Sequence, residues 1–309
     1  MARDELQMSA RTPPPEPTGS LAAGLLRAAR PKQWIKNVLV FAAPGAAGVL
    51  DQGGPLVDTL VAFACFCLAA AGTYYLNDAA DVDADRVHPT KRFRPIASGV
   101  VPIGLARVLG PLLITAWLAL GFAARWELAV TIAAYVTMTT TYTVWLKHIP
   151  VVDLVAIASG FVLRAIAGAT ATGVPISDWF FIVASFGSLF MVVGKRHAEA
   201  LEMGESAVDV RSTLGQYTPA YLAYLRSVSS GAVLIAYCLW AFEKAGPATS
   251  PVPWFQISIL PFVLGILRYA FLVDAGKGGA PEELVLRDRS LQAVGLAWAV
   301  LFGIGIYAG

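Results

Sequence analysis

Polar residues are absent from long stretches of this chain, and the gaps between them set its architecture. Apolar runs of membrane-crossing length recur about nine times, at roughly 34–50, 57–77, 102–124, 127–145, 151–171, 176–194, 221–242, 254–273 and 290–308, taking about 20 residues as one crossing. The pattern predicts an all-α membrane protein with nine transmembrane helices. Residues 1–20, MARDELQMSARTPPPEPTGS, are polar and proline-rich and lack the apolar core of a signal peptide. We therefore expect residues 1–23 to be a disordered tail and residues 24–309 to form one helical domain.

Composition supports that solvent assignment. With 57% hydrophobic and 14% charged residues, the chain is too apolar for a soluble domain and must place its surface in a lipid bilayer. No nucleic-acid partner is expected. Cys65, Cys67 and Cys238 lie inside apolar runs without disulfide or metal-ligand spacing, and His88, His148 and His197 are too scattered to form a metal triad.

Charge then orients the helices. Of the 23 lysines and arginines, all but Arg125 and Lys244 fall with the N-terminal segment and loops 2–3, 4–5, 6–7 and 8–9. Positive residues concentrate on the cytoplasmic side, so these loops and the N-terminus are expected there, in a multi-pass protein of the plasma membrane. Such a bias serves any multi-spanning protein and carries no function by itself.

The acid among those basic loops needs a further reason. Span 2 runs into NDAADVDADRVHPTKRFRP at residues 77–95. If that helix continues past the interface, Asp78, Asp81 and Asp85 share one stripe, because residues three and four apart are neighbours on a helix. Asp83 points off it. Three like charges repel, and hard carboxylate oxygens at this position suit Mg²⁺, which takes its remaining ligands from water and substrate phosphates. Arg86, Lys91, Arg92 and Arg94 can supply charge and bidentate forks to the same phosphates. The competing reading is an ordinary solvated helix end with local salt bridges.

The stretch NDAADVDADR followed by HPTKRFRPIASG resembles the first aspartate-rich motif of the UbiA superfamily of intramembrane prenyltransferases. RPKQWIKN (30–37), YTVWLKHIPVVD (142–153) and GKRHAE (194–199) extend the resemblance over nearly the whole chain. It implies a nine-helix bundle whose cytoplasmic loops 2–3 and 6–7 cap a Mg²⁺-dependent diphosphate site open laterally to lipid. It also makes a homotrimer plausible. Asn77, Lys36, Asn37, Tyr142 and Lys147 join the substrate site on this basis, although Tyr142 and Lys147 also suit an aromatic belt and a snorkelling anchor.

Loop 6–7 departs from the prenyl-transferring pattern. Where those enzymes carry a second aspartate pair, this chain has Lys195, Arg196 and Glu199. Two cations and one carboxylate favour a donor with an extra phosphate. GKRHAE, LWAFEK (239–244) and LRYAFLVDAGKGGAPEELVLRDRSLQ (267–292) resemble a phosphoribosyltransferase branch of the superfamily found in mycobacteria and related actinobacteria. That resemblance implies 5-phosphoribosyl 1-diphosphate (PRPP) as donor, a polyprenyl phosphate, decaprenyl phosphate, as acceptor, and a product that feeds cell-wall arabinan. The alternative is transfer of a polyprenyl group from its diphosphate to an aromatic acceptor. A divalent-cation transporter would place carboxylates at several depths in the bundle, yet the spans are nearly free of Asp and Glu.

Arg164 lies in mid-span, where a guanidinium needs either an ion-pair partner on another helix or an anionic ligand such as the acceptor phosphate. Arg30, Lys32 and Lys36 around Trp34 suit an interfacial anchor, with Lys36 and Asn37 one turn deeper and better placed for substrate. Arg268, Arg287 and Arg289 flank loop 8–9 and fit either phosphate binding or orientation of the last hairpin. Pro89, Pro95 and Pro102 interrupt helix between spans 2 and 3, so that this loop can fold as a cap.

Overall fold

The computed structural model describes residues 19–88, 90–203, 213–244, 251–277 and 281–307, and among them every regular element is helical. Helices α1 (Leu21–Ala28) and α2 (Ala42–Ala46) flank a 3₁₀ segment, Pro31–Phe41. There follow α3 (Gly53–Ala80), α4 (Val82–Val87), α5 (Ile103–Ala124), α6 (Trp126–Val144), α7 (Val152–Thr172), α8 (Asp178–Met203), α9 (Pro219–Glu243), α10 (Trp254–Asp274), α11 (Pro281–Arg287) and α12 (Arg289–Tyr307). Seven of these, α3, α5, α7, α8, α9, α10 and α12, are long and apolar enough to cross a membrane. Spans 2 to 9 of the sequence thus appear as eight long helices, with α6 made more polar by Thr137, Thr139, Thr140, Thr141 and Thr143.

Two expectations at the N-terminus are corrected. Residues 21–23, expected in the tail, already belong to α1, where the Ser20 hydroxyl accepts from the Ala23 N–H at 3.3 Å as an N-cap. Span 1 is not one α-helix but the 3₁₀ segment followed by the five residues of α2. Arg30 sits in the left-handed region (φ 53°, ψ 59°), and Pro31 then fixes the first position of the new helix. The segment lies so close to α7 that a Cβ on Gly168 would come within 1.8 Å of the Val40 carbonyl oxygen. Only glycine permits that approach, in keeping with the small residues that membrane helices use where backbones meet.

Consecutive long helices pack side by side, α3 on α5, α5 on α6, α6 on α7, α7 on α8, α8 on α9, α9 on α10, and α10 on α12. The chain after α2 returns to α12, where Gly48 abuts Ile306. The core follows this order. Phe66, Leu128, Ile132, Tyr135, Ala167 and Ala171 join α3, α6 and α7. Phe190, Tyr269, Leu272 and Val273 join α8 and α10.

The loop between α4 and α5 is folded back on the bundle. Its Ile96 and Val101 are fully buried against Ala28, Tyr75 and Ala79, and Tyr75 donates to the Leu25 carbonyl at 2.8 Å. This packing matters because Arg94 sits two residues before Ile96, and its position over the end of α3 is set by the anchored loop.

Candidate active site

The acidic run does not continue as one helix. α3 stops at Ala80, Asp81 adopts φ −91° and ψ 10°, and α4 restarts at Val82. Hydrogen bonds still bridge the break, from the Asp81 N–H to the Asn77 carbonyl (2.9 Å) and from the Asp85 N–H to the Asp81 carbonyl (2.8 Å). The change in direction sorts the carboxylates. Asp78 and Asp85 are each only 2% exposed, whereas Asp81 and Asp83 face outward. The expected three-residue stripe is thereby corrected to a buried pair with Asp81 at its outer edge.

Two arginines close on that pair. Arg94 Nη1 lies 2.7 Å from Asp85 Oδ2 and 3.2 Å from Asp78 Oδ1, and Arg30 Nη2 lies 2.5 Å from Asp78 Oδ1. Arg30 also stands 4.6 Å from the centre of the Tyr74 ring. Arg30, grouped above with the interfacial anchors, is thus also seated on the acidic pair, and its backbone is left-handed. The signal was partly present in the sequence, since Tyr74 precedes Asp78 by one helical turn and shares its face.

Among the described residues no group of three or more His, Cys, Asp and Glu side chains converges on a point. Asp78 and Asp85 nonetheless both accept from one guanidinium nitrogen, so a single cationic group already bridges the two carboxylates. Mg²⁺ typically accepts one or two protein carboxylates and completes its octahedron from phosphates and water, so this oxygen pair fits it.

Around the pair the other expected residues divide. Asn77 donates to Thr143 Oγ1 at 3.5 Å, which ties the end of α3 to the end of α6, beside Tyr142. Tyr142 is half-buried, and Arg196, Lys147 and Glu199 are among the charged groups near it, which brings the ends of α6 and α8 close together. There Glu199 holds both cations, Arg196 Nη1 at 2.5 Å and Lys195 Nζ at 3.9 Å. Arg196 is 3% exposed and its Nε has no hydrogen-bond partner among the described residues. Lys36 is half-buried and Asn37 fully buried on the 3₁₀ segment. Lys91 and Arg86 are exposed, and Arg86 is engaged locally, with Asp83 at 3.4 Å and the Ala97 carbonyl at 3.3 Å. His88 shapes this turn by accepting from the Lys91 N–H, and burial together with nearby Lys91 holds its imidazole pKa below the ordinary value.

Several contacts were invisible in sequence. Asp153, fully buried at the start of α7, accepts from Thr213 Oγ1 (3.2 Å) and from the Tyr217 hydroxyl (2.5 Å). The same Tyr217 oxygen accepts from the N–H of Val151, a non-glycine residue at φ 69°. Burial, and the bond to Asp153, push the Tyr217 phenol pKa well up. This clasp fixes the chain leaving loop 6–7 against the α6–α7 turn, while residues 204–212, including Arg211, lie outside the described residues. Arg268 pairs with Asp288 (2.8 Å), which also caps α12 by accepting from the Leu291 N–H, so Arg268 orients the last hairpin.

The chain is similar to several known proteins. The chain is 46% identical over 296 residues to a decaprenyl-phosphate phosphoribosyltransferase of Corynebacterium glutamicum, covering 94% of this chain and 89% of that one. It is 45% identical to the enzyme of that name from Mycobacterium tuberculosis, covering 95% and 98%. The fold matches a UbiA homologue from Archaeoglobus fulgidus described as bound to DMAPP and Mg²⁺, with a TM-score of 0.68 at 17% identity over 92% of this chain and 99% of that one. The model of the UbiA prenyltransferase family matches residues 38–291, and the chain belongs to that family.

Proposed function

We propose that this protein transfers 5-phosphoribose from PRPP to decaprenyl phosphate or a similar polyprenyl phosphate, releasing pyrophosphate. The observation that carries the reading is its 44–46% identity, over almost its whole length, to relatives named for that reaction. The site supplies the matching chemistry. Asp78 and Asp85 form the inner pair that would hold Mg²⁺ against the donor diphosphate, with Asp81 at the mouth. Mg²⁺, when bound there, would neutralise charge on the departing diphosphate.

The chain's own residues do the rest. Arg30 and Arg94, which now neutralise the carboxylates, are free to turn toward phosphate oxygens once a cation takes their place. In this reading Arg86, Lys91 and Lys36 would serve the donor phosphates from the side of the acidic pair, and Tyr142, Lys147, Lys195 and Arg196 from the ends of α6 and α8 and the turn after α6. The acceptor oxygen is already anionic, so attack on the ribose anomeric carbon needs no strong general base, and orientation is the main task of the protein. Prenyl transfer is disfavoured because Glu199, which stands where a second aspartate pair would be, is occupied by Lys195 and Arg196.

The wider reading follows from the same residues. The 3₁₀ segment and α2 together measure about 30 Å at their respective rises, enough to cross a hydrocarbon core. With α6 this gives nine crossings in a domain beginning near residue 24, and the basic loops put the acidic site at the cytoplasmic face of the plasma membrane. Incubation of membranes carrying the protein with labelled PRPP, polyprenyl phosphate and Mg²⁺ should yield labelled lipid. No label in lipid, or label transferred only from a prenyl diphosphate to an aromatic compound, would refute the assignment.

A further inference from the structure

Arg164 is a charged side chain that the donor site does not explain. It is 7% exposed in the middle of α7, and among the described residues no carboxylate pairs with it. All three of its hydrogen bonds go to neutral oxygens, from Nε to Asn37 Oδ1 (2.7 Å), Nη1 to the Gly160 carbonyl (2.6 Å) and Nη2 to the Tyr135 hydroxyl (2.8 Å). The ring centre of Tyr135 lies 4.6 Å from the guanidinium carbon. A guanidinium carries five N–H donors, so donor capacity remains, and a buried cation held only by neutral groups keeps an uncompensated charge.

Position and lining both suit an anion. Asn37 also bonds Cys67, about two helical turns before Tyr74 on α3, so Arg164 lies deeper in the bundle than the acidic pair. Beside it stands Gly160, whose carbonyl accepts from Nη1 and which adds no side chain between Arg164 and Tyr135. Tyr74 connects the two levels, interacting electrostatically with Tyr135 and Arg164 on the inner side and with Arg30 and Asp78 on the outer.

We propose that Arg164, positioned by Asn37 and Tyr135, binds the phosphate of the lipid acceptor. The assignment rests on the transfer reading above. A soluble donor reaches the acidic pair from the mouth, whereas a phosphate whose chain lies in hydrocarbon can approach from the side of the deeper cation, and the two would meet at the level of Tyr74. A neutral aromatic acceptor would give such a charge nothing to compensate it. Asn37 and Tyr135 act through Arg164 as positioning residues.

Initial rates of the purified protein in lipid nanodiscs, measured against PRPP and against decaprenyl phosphate separately, test this. Arg164→Gln should raise the acceptor KM by at least about tenfold and leave the donor KM within about twofold, with Arg164→Lys between it and wild type. Tyr135→Phe, which removes one hydrogen bond and keeps the ring, should raise the acceptor KM about threefold, and it carries the test if Arg164→Gln does not fold. An unchanged acceptor KM in Tyr135→Phe and Arg164→Lys, or a donor KM that rises in step, overturns the assignment. If the wild-type protein makes no labelled lipid, the transfer reading itself fails, so the two failures are distinct.

Discussion

Replacing Asp78, Asp85 and Asp81 by asparagine, one at a time, distinguishes a broken helix from a continuous acidic stripe. Asparagine keeps the shape and removes the charge. In Asp78→Asn, Arg30 and Arg94 both lose a carboxylate, at 2.5 and 3.2 Å, although Arg94 retains Asp85 at 2.7 Å. Hydrogen bonds to charged groups contribute about 1.5–3 kcal/mol each, and the remaining amide oxygen still accepts, so the expected loss is about 2–4 kcal/mol. Asp85→Asn removes one contact and should cost about 1–2 kcal/mol. Asp81 is exposed and pairs with no described cation, so Asp81→Asn should stay within about 0.5 kcal/mol of wild type. Denaturant unfolding of the purified protein measures the order. Transfer rates should fall at least about 100-fold in Asp78→Asn and Asp85→Asn, and about tenfold in Asp81→Asn. If Asp81→Asn destabilises as much as Asp78→Asn, the buried-pair geometry is wrong, and if Asp85→Asn turns over normally, so is its role.

Other consequences follow from particular contacts. Gly168→Ala should fail to fold or lose several kcal/mol, read as loss of the monodisperse species, because its methyl would meet the Val40 carbonyl 1.8 Å away. Tyr217→Phe removes a donor from buried Asp153 and should cost about 1–3 kcal/mol in denaturant unfolding. Arg268 holds the Asp288 carboxyl below the usual aspartate range, so this pair stabilises above the ordinary aspartate pKa and the benefit disappears as pH falls through the lowered one. Thermal unfolding of wild type and Asp288→Asn should therefore differ most near neutral pH and converge in acid.

Much of this was legible in the chain because membrane crossing is a local property. The apolar runs located eight long helices to within a few residues at most ends, since about 20 apolar residues must span hydrocarbon whatever they pack against. The end of α8 at Met203 lay well beyond the expected 194, because the helix runs past the membrane and takes Lys195, Arg196 and Glu199 with it. Asp78 and Asp85 were found, but the break at Asp81 was not, as no glycine or proline marks it. Arg30 and Tyr74 escaped because their roles arise from pairing across 48 residues and from a left-handed backbone that no helical pattern encodes. The close seat of residues 31–41 on α7 needs Gly168, far along the chain. The partners of Arg164 were likewise undetermined until α6, α7 and the 3₁₀ segment came together around it.

The most direct measurement is a high-resolution map of the protein with PRPP and Mg²⁺ bound. The account predicts an ion about 2.1 Å from oxygens of both Asp78 and Asp85, bridging to the donor diphosphate, with Arg30 and Arg94 turned toward phosphate. A diphosphate bound elsewhere in the bundle, with Arg94 still seated between the two carboxylates, would contradict it.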